Sequence, residues 1–202
     1  MSVIPHRRLR ILAASRDSGF SLIEIMVVIV VMGVLMAISI PKISNWAQMY
    51  QINAEAQKVY FDLMLARSKA IGNNNDVIVT FDVSNHTYTI HDDTNSDGSA
   101  DSGEEVKTVN LENNMKFGYD SSIQDVDGNA MSAAADFGGA ATLTFNSRGE
   151  ASAGGGVYML PSKDVGLSTD RMRAVSIVMG TGSADLWKYD SLAATPGPWS
   201  TG

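Results

Sequence analysis

Residues 19 to 42 read GFSLIEIMVVIVVMGVLMAISIPK, and the 21 residues 20–40 are apolar but for two serines and one acid. As a helix they reach roughly 31 Å, enough to cross the hydrocarbon core of a bilayer. A stretch of this length without a polar face rarely serves as the core helix of a small soluble protein. A secretory signal peptide would have an apolar core of about 7–15 residues ending in an A-x-A-like site. Here the run is longer and Pro41-Lys42 follow it without a small-x-small signal, so the span is expected to stay attached as a single-pass anchor. Upstream stand Arg7, Arg8, Arg10 and Arg16 against the single Asp17. By the positive-inside bias, residues 1–19 belong in the cytoplasm and residue 42 onward on the other side.

Glu24 is the anomaly in this run. A carboxylate inside a lipid-facing helix costs about 2.5–3.5 kcal/mol even on lenient scales, and an acid placed there is functional by default. No basic residue within the span can neutralise it. Its partner has to be a new amino terminus or another chain.

The net charge of -7 is unevenly distributed. The first 19 residues contribute four Arg minus one Asp, or +3; the span contributes -1; residues 42–202 contribute 11 minus 20, or -9. An acidic exported part argues against general affinity for nucleic acid phosphates, which depends on clustered Lys and Arg. With no cysteine there is no disulfide, no thiolate metal site and no cysteine nucleophile. Catalysis of other kinds finds little support. The histidines are His6, His86 and His91, and no GxSxG, HExxH or phosphate-loop motif is present. His86 and His91 have odd spacing on one expected strand and so face opposite sides, as solvent-facing residues rather than a shared metal site. The chain is not expected to be an enzyme.

Beyond the span the helical period continues over residues 41–72 while one side turns polar. Trp46, Met49, Ala56, Val59 or Tyr60, Leu63 and Ala70 recur at steps of three and four. Pro41 removes one helix hydrogen bond and is expected to bend the helix. Gly72 and the run Asn73-Asn74-Asn75 supply the stop. Such a helix of about 52 residues is too long to be buried by the remaining chain, so its first half must pack on lipid or on neighbouring helices. From residue 73 the period becomes two. DVIVTFDV (76–83) and HTYTIH (86–91), joined at Ser84-Asn85, read as a hairpin rich in strand-forming residues. EVKTVNL, MKFGY, TLTFN, GGVYML, RAVSIVM and ADLWKYD follow as shorter strands. The Ala- and Gly-rich residues 130–141 are expected to be a loop over the sheet, and the tail TPGPWSTG to be loosely held. The class is α+β: a long N-terminal helix followed by an antiparallel β domain over residues 73–202.

Residues 93–104, DTNSDGSADSGE, match the twelve-residue calcium loop. Asp93, Asn95 and Asp97 stand at positions 1, 3 and 5, Gly98 at 6, Ser99 at 7 through its carbonyl, Asp101 at 9 and Glu104 at 12. Oxygen ligands on alternating residues converge on a hard cation, the glycine permits the sharp turn, and the last glutamate can bind through both oxygens. Six acids lie in residues 92–105 with no Lys or Arg among them, which favours a cation. A solvated acidic turn between two strands stays open as the alternative, because the flanking helices of an EF-hand are absent.

Gly19 followed by FSLIEIMVVIVV resembles the class III leader junction of type IV pilins and type II secretion pseudopilins, with glutamate as fifth residue of the mature chain. The resemblance implies that a prepilin peptidase cuts between Gly19 and Phe20 and methylates the new amine of Phe20. Glu24 would attract the amine of a neighbouring subunit during assembly, and Pro41 falls where pilin-like helices also carry proline. The helix ending YFDLMLARSKAIGNNNDVIVTFD, the acidic hairpin and LTFNSRGEASAGGGVYM resemble the GspH/FimT-type minor pseudopilin domain. That family implies a pilin-like fold, with the helix packed on a two-sheet β domain, and a subunit held in the bacterial inner membrane. The domain would lie in the periplasm and join a short periplasmic pseudopilus. The implied partners are the prepilin peptidase, other pseudopilins or pilins through helix packing, and the inner-membrane assembly platform. The alternative is a minor type IV pilin in pilus assembly, adhesion or DNA uptake. DNA-binding relatives resemble one another in a basic G-R-x-R type turn, and here the matching turn, Gly182-Ser183-Ala184-Asp185, lacks arginine. Arg171 and Arg173 remain as a small basic spot, read as a solvated strand end.

Overall fold

A computed structural model describes residues 19–193 and 198–201, with side-chain surroundings for all of these but residues 40–45. The expected basic leader, residues 1–19, lies outside the described residues except for Gly19, and so does its expected cytoplasmic placement. The chain divides into two units, Met1–Ser44 and Asn45–Gly202.

In the first unit the helix α1 (Leu22–Asn73) begins. Its window Leu22–Ser39 has a mean hydropathy of 2.7, and its side chains are exposed. Ser21 caps the start: the Glu24 N–H donates to the Ser21 Oγ at 3.2 Å, which satisfies one of the four donors that a helix N-terminus leaves free. The Ser39 hydroxyl turns back to the Leu35 carbonyl at 2.8 Å, so the second serine of the span is also satisfied within the helix. The helix assignment runs unbroken through Pro41.

In the second unit the remaining turns of α1 bury Ile52, Ala56, Val59, Leu63, Ala66 and Ala70, spaced alternately by four and three. Each large aliphatic residue buried this way contributes about 1.5–3 kcal/mol. Trp46 departs from the expected stripe. It is 71% exposed and stacks on Tyr50 at 6.1 Å, because both project from the face opposite the buried one. The helix ends on Asn74 rather than on a glycine. Asn74 takes φ 56°, and the Asn75 N–H reaches the Ala70 carbonyl at 3.2 Å in a left-handed cap.

Among the described residues ten strands form two antiparallel sheets. The first has the order β3-β2-β1-β6, from β1 (Asp76–Asp82), β2 (Thr87–Asp93), β3 (Val106–Asn110) and β6 (Thr142–Phe145). The second has the order β10-β9-β8-β7-β4, with β5 also on β7. Its strands are β4 (Met115–Phe117), β5 (Ala135–Phe137), β7 (Gly155–Pro161), β8 (Arg173–Ile177), β9 (Ala184–Tyr189) and β10 (Trp199–Thr201). Alternation in β1 sends Val77, Val79 and Phe81 inward, where the Phe81 ring meets Tyr88, Phe117 and Phe137 at 5.6–5.7 Å. Phe81 and Tyr88 belong to the first sheet and Phe117 and Phe137 to the second, so one core serves both.

Two expectations fail in part here. Residues 130–141 are not loop throughout: Ala135 to Phe137 form β5, which pairs with β7 and is buried at both alanine and phenylalanine. The tail is not loose over its described part. Trp199 is 7% exposed and β10 pairs with β9, while residues 194–197 lie outside the described residues. The cause is a second apolar cluster on the far face of the second sheet, where Met131, Tyr158, Leu160, Met172, Ala174, Tyr189 and Trp199 pack together. A sheet buried on both faces no longer alternates, and every residue of β8 is buried.

Candidate functional site

Gly19 and Phe20 are exposed and precede the first helical residue. Gly19 lies outside the positive-φ region, and no atom stands within 4 Å of where its Cβ would be. The fold therefore places no steric demand for glycine at this position. Glu24 occupies the first turn of α1 and is exposed among apolar side chains. Acids are favoured at a helix N-terminus by the dipole, and Ser21-x-x-Glu24 is also the spacing of a capping box. The cap bond from Ser21 is present, and Glu24 Oε has no hydrogen-bond partner among the described residues. The side chain of Pro41 lies outside the described residues.

The acidic loop is organised by its own backbone. Asp93, at the end of β2, is buried, and its two oxygens accept the N–H groups of Asp97 at 3.2 Å and Gly98 at 2.8 Å. Asn95 bonds Asp97 at 2.9 Å and Asp101 at 3.1 Å, and the Asp97 Oδ1 accepts the Ser99 N–H at 2.8 Å. Gly98 takes φ +79°, the conformation the sixth position of the loop requires. Glu104 uses both oxygens: Oε1 accepts the Thr94 N–H and hydroxyl at 2.9 and 3.0 Å, and Oε2 accepts the Asp101 N–H at 3.0 Å and meets His91 Nε2 at 2.8 Å. These bonds, led by the Asp101 N–H and then His91, hold the Glu104 carboxyl down to about 2. The first and last ligand positions of the loop accept N–H groups and meet His91, and among the described residues no three His, Cys, Asp or Glu side chains are grouped to hold a metal. The calcium expectation for Asp93, Asn95, Asp97, Ser99, Asp101 and Glu104 rests on the sequence spacing alone.

The two histidines among the described residues do not behave alike. His86 sits in the turn before β2 with φ 54°, not on the strand. His91 is buried against Glu104 rather than solvent-facing. The signal was available in the alternation of β2, which puts residues 91 and 93 on one face and so sets His91 beside the loop.

The basic spot at residues 171 and 173 is not a solvated strand end. Arg173 is 2% exposed, donates from Nε to Asn53 Oδ1 at 2.9 Å and from Nη1 to the Met172 carbonyl, and burial pulls it down to about 10. Arg171 donates to Gln48 at 2.8 Å and pairs with Asp164. In the Gly182 turn, a Cβ on Gly182 would stand 2.3 Å from the Gly149 carbonyl, so close packing under Arg67 explains that glycine. Sequence reasoning also missed Glu55, a buried acid on α1. It accepts the Glu112 N–H at 3.0 Å and the Asn113 side chain at 3.3 Å, and pairs with Lys58 at 3.4 Å, pinning the turn before β4.

Comparison with known proteins follows the same two regions. The family model described as type II transport protein GspH matches residues 55–181, which is 127 of the 202 residues. The model of the prokaryotic N-terminal methylation motif matches residues 14–40 and so includes Gly19, Phe20 and Glu24. A search of curated proteins finds no match. Among solved structures, the chain is similar to the minor pseudopilin EpsH from the type 2 secretion system of Vibrio cholerae, at 17% identity and a TM-score of 0.46, over 68% of this chain and 97% of that one.

Proposed function

The chain belongs to the GspH family of type II transport proteins, and from that membership we propose that it works as a minor pseudopilin, a structural subunit of a type II secretion pseudopilus. The observation that carries the reading is the N-terminal segment. An exposed Gly19-Phe20 junction leads directly into a capped, exposed, apolar helix with one acid in its first turn. Such an arrangement offers an extended peptide for a prepilin peptidase to cut and methylate, and behind it a membrane anchor. The anchor would hold the chain in the inner membrane, with the β domain on the periplasmic side.

Glu24 would then do mechanical work in assembly. In the membrane its carboxylate lacks a partner, and the amine of a neighbouring Phe20 supplies one, which draws the incoming helix into register. A one-start filament is a heterologous assembly, so each subunit presents two different faces of the same helix. The proposal contains no catalytic step. Replacement Glu24→Ala should leave membrane insertion intact and reduce incorporation into sheared filaments; equal recovery of mutant and wild type would remove Glu24 from this role. DNA uptake by a type IV pilus would need a basic DNA-contacting turn, and the turn beginning at Gly182 offers Asp185 instead.

Calcium binding by residues 93–104 is a further proposal carried by the ligand spacing. A bound ion would have to draw Glu104 away from His91. Millimolar calcium should then raise the Tm of the full chain by linkage, and an unchanged Tm counts against it.

A further inference from the structure

We draw no further inference here: the strongest candidate, the exposed apolar face that Trp46, Tyr50, Phe61 and Leu65 form along α1 in the second unit, carries none because nothing in the structure shows what covers it.

Discussion

Trp199 tests whether the far C-terminal segment is structural, and Trp199→Ala is the perturbation. The indole is buried at 7% exposure between Tyr158 and Tyr189, with ring centroids 5.7 and 5.1 Å away. Its Nε1–H donates to the Gln124 carbonyl at 2.9 Å and so ties the 123–131 segment to the sheet. Truncating a buried Trp to Ala costs about 3–5 kcal/mol. Within that figure the two aromatic contacts account for about 0.5–1.5 kcal/mol each, and the hydrogen bond for about 1 kcal/mol. A loose tail would instead give a change within about 0.5 kcal/mol. The unit Asn45–Gly202 has 158 residues, a size at which each kcal/mol moves Tm by about 2–4 °C, so Trp199→Ala should lower Tm by about 10 °C. Trp199→Phe keeps most of the ring contact and loses the N–H donor, leaving the Gln124 carbonyl unpaired; a loss of about 1–3 kcal/mol follows. Thermal unfolding of the full chain in mild detergent, read by the circular dichroism of the β domain, separates these values. A Trp199→Ala protein that melts within about 2 °C of wild type would refute the second cluster as a stabilising element.

Three other outcomes can be checked in the same way. In Gly155→Ala the new Cβ would stand 1.9 Å from the Asp136 carbonyl at φ +149°, so the β5–β7 pairing must open, and amide exchange at Ala135 and Phe137 should lose its protection. Glu55→Ala leaves the Glu112 N–H and the Asn113 amide without their acceptor and should cost about 1–3 kcal/mol in urea unfolding, whereas Glu55→Gln should recover part of that loss. For Glu104 the folded value of about 2 lies below the ordinary 4.5, so between those values the unfolded chain holds the proton and the folded chain does not. Its contribution is therefore full above the ordinary value and fades as pH falls toward the folded one; the Tm advantage of wild type over Glu104→Gln should shrink over that window, and a constant advantage would contradict the bonding described.

Much of the architecture was legible because it depends on local periodicity. The helix from Leu22, the hairpin from Asp76 and the short strands after it are written in steps of three and four and then of two. Trp46 misled because a large apolar residue at helical spacing counts the same whether its face meets a sheet or solvent. The buried strand Ala135 to Phe137 was hidden by composition, since alanines and glycines carry little strand preference and only the partner strand β7 makes the segment regular. In the acidic loop, the spacing of Asp93 and Glu104 could be read, but not that His91 would occupy one face of Glu104.

By itself the sequence determined the features that rest on covalent order and solvent preference: a basic N-terminal stretch, an apolar stretch able to cross a bilayer, an acid stranded within it, and a helix giving way to strands. The tertiary structure alone decided which polar groups are inside. Glu55 and Arg173 are buried because residues far apart in the chain bring them N–H donors and amides, whereas Asp93 and Asp164 meet partners four to seven residues away that only the folded loops turn toward them. Burying such a group is tolerable only when its hydrogen bonds are met, and no local pattern records whether a partner fifty or a hundred residues away will arrive to meet them.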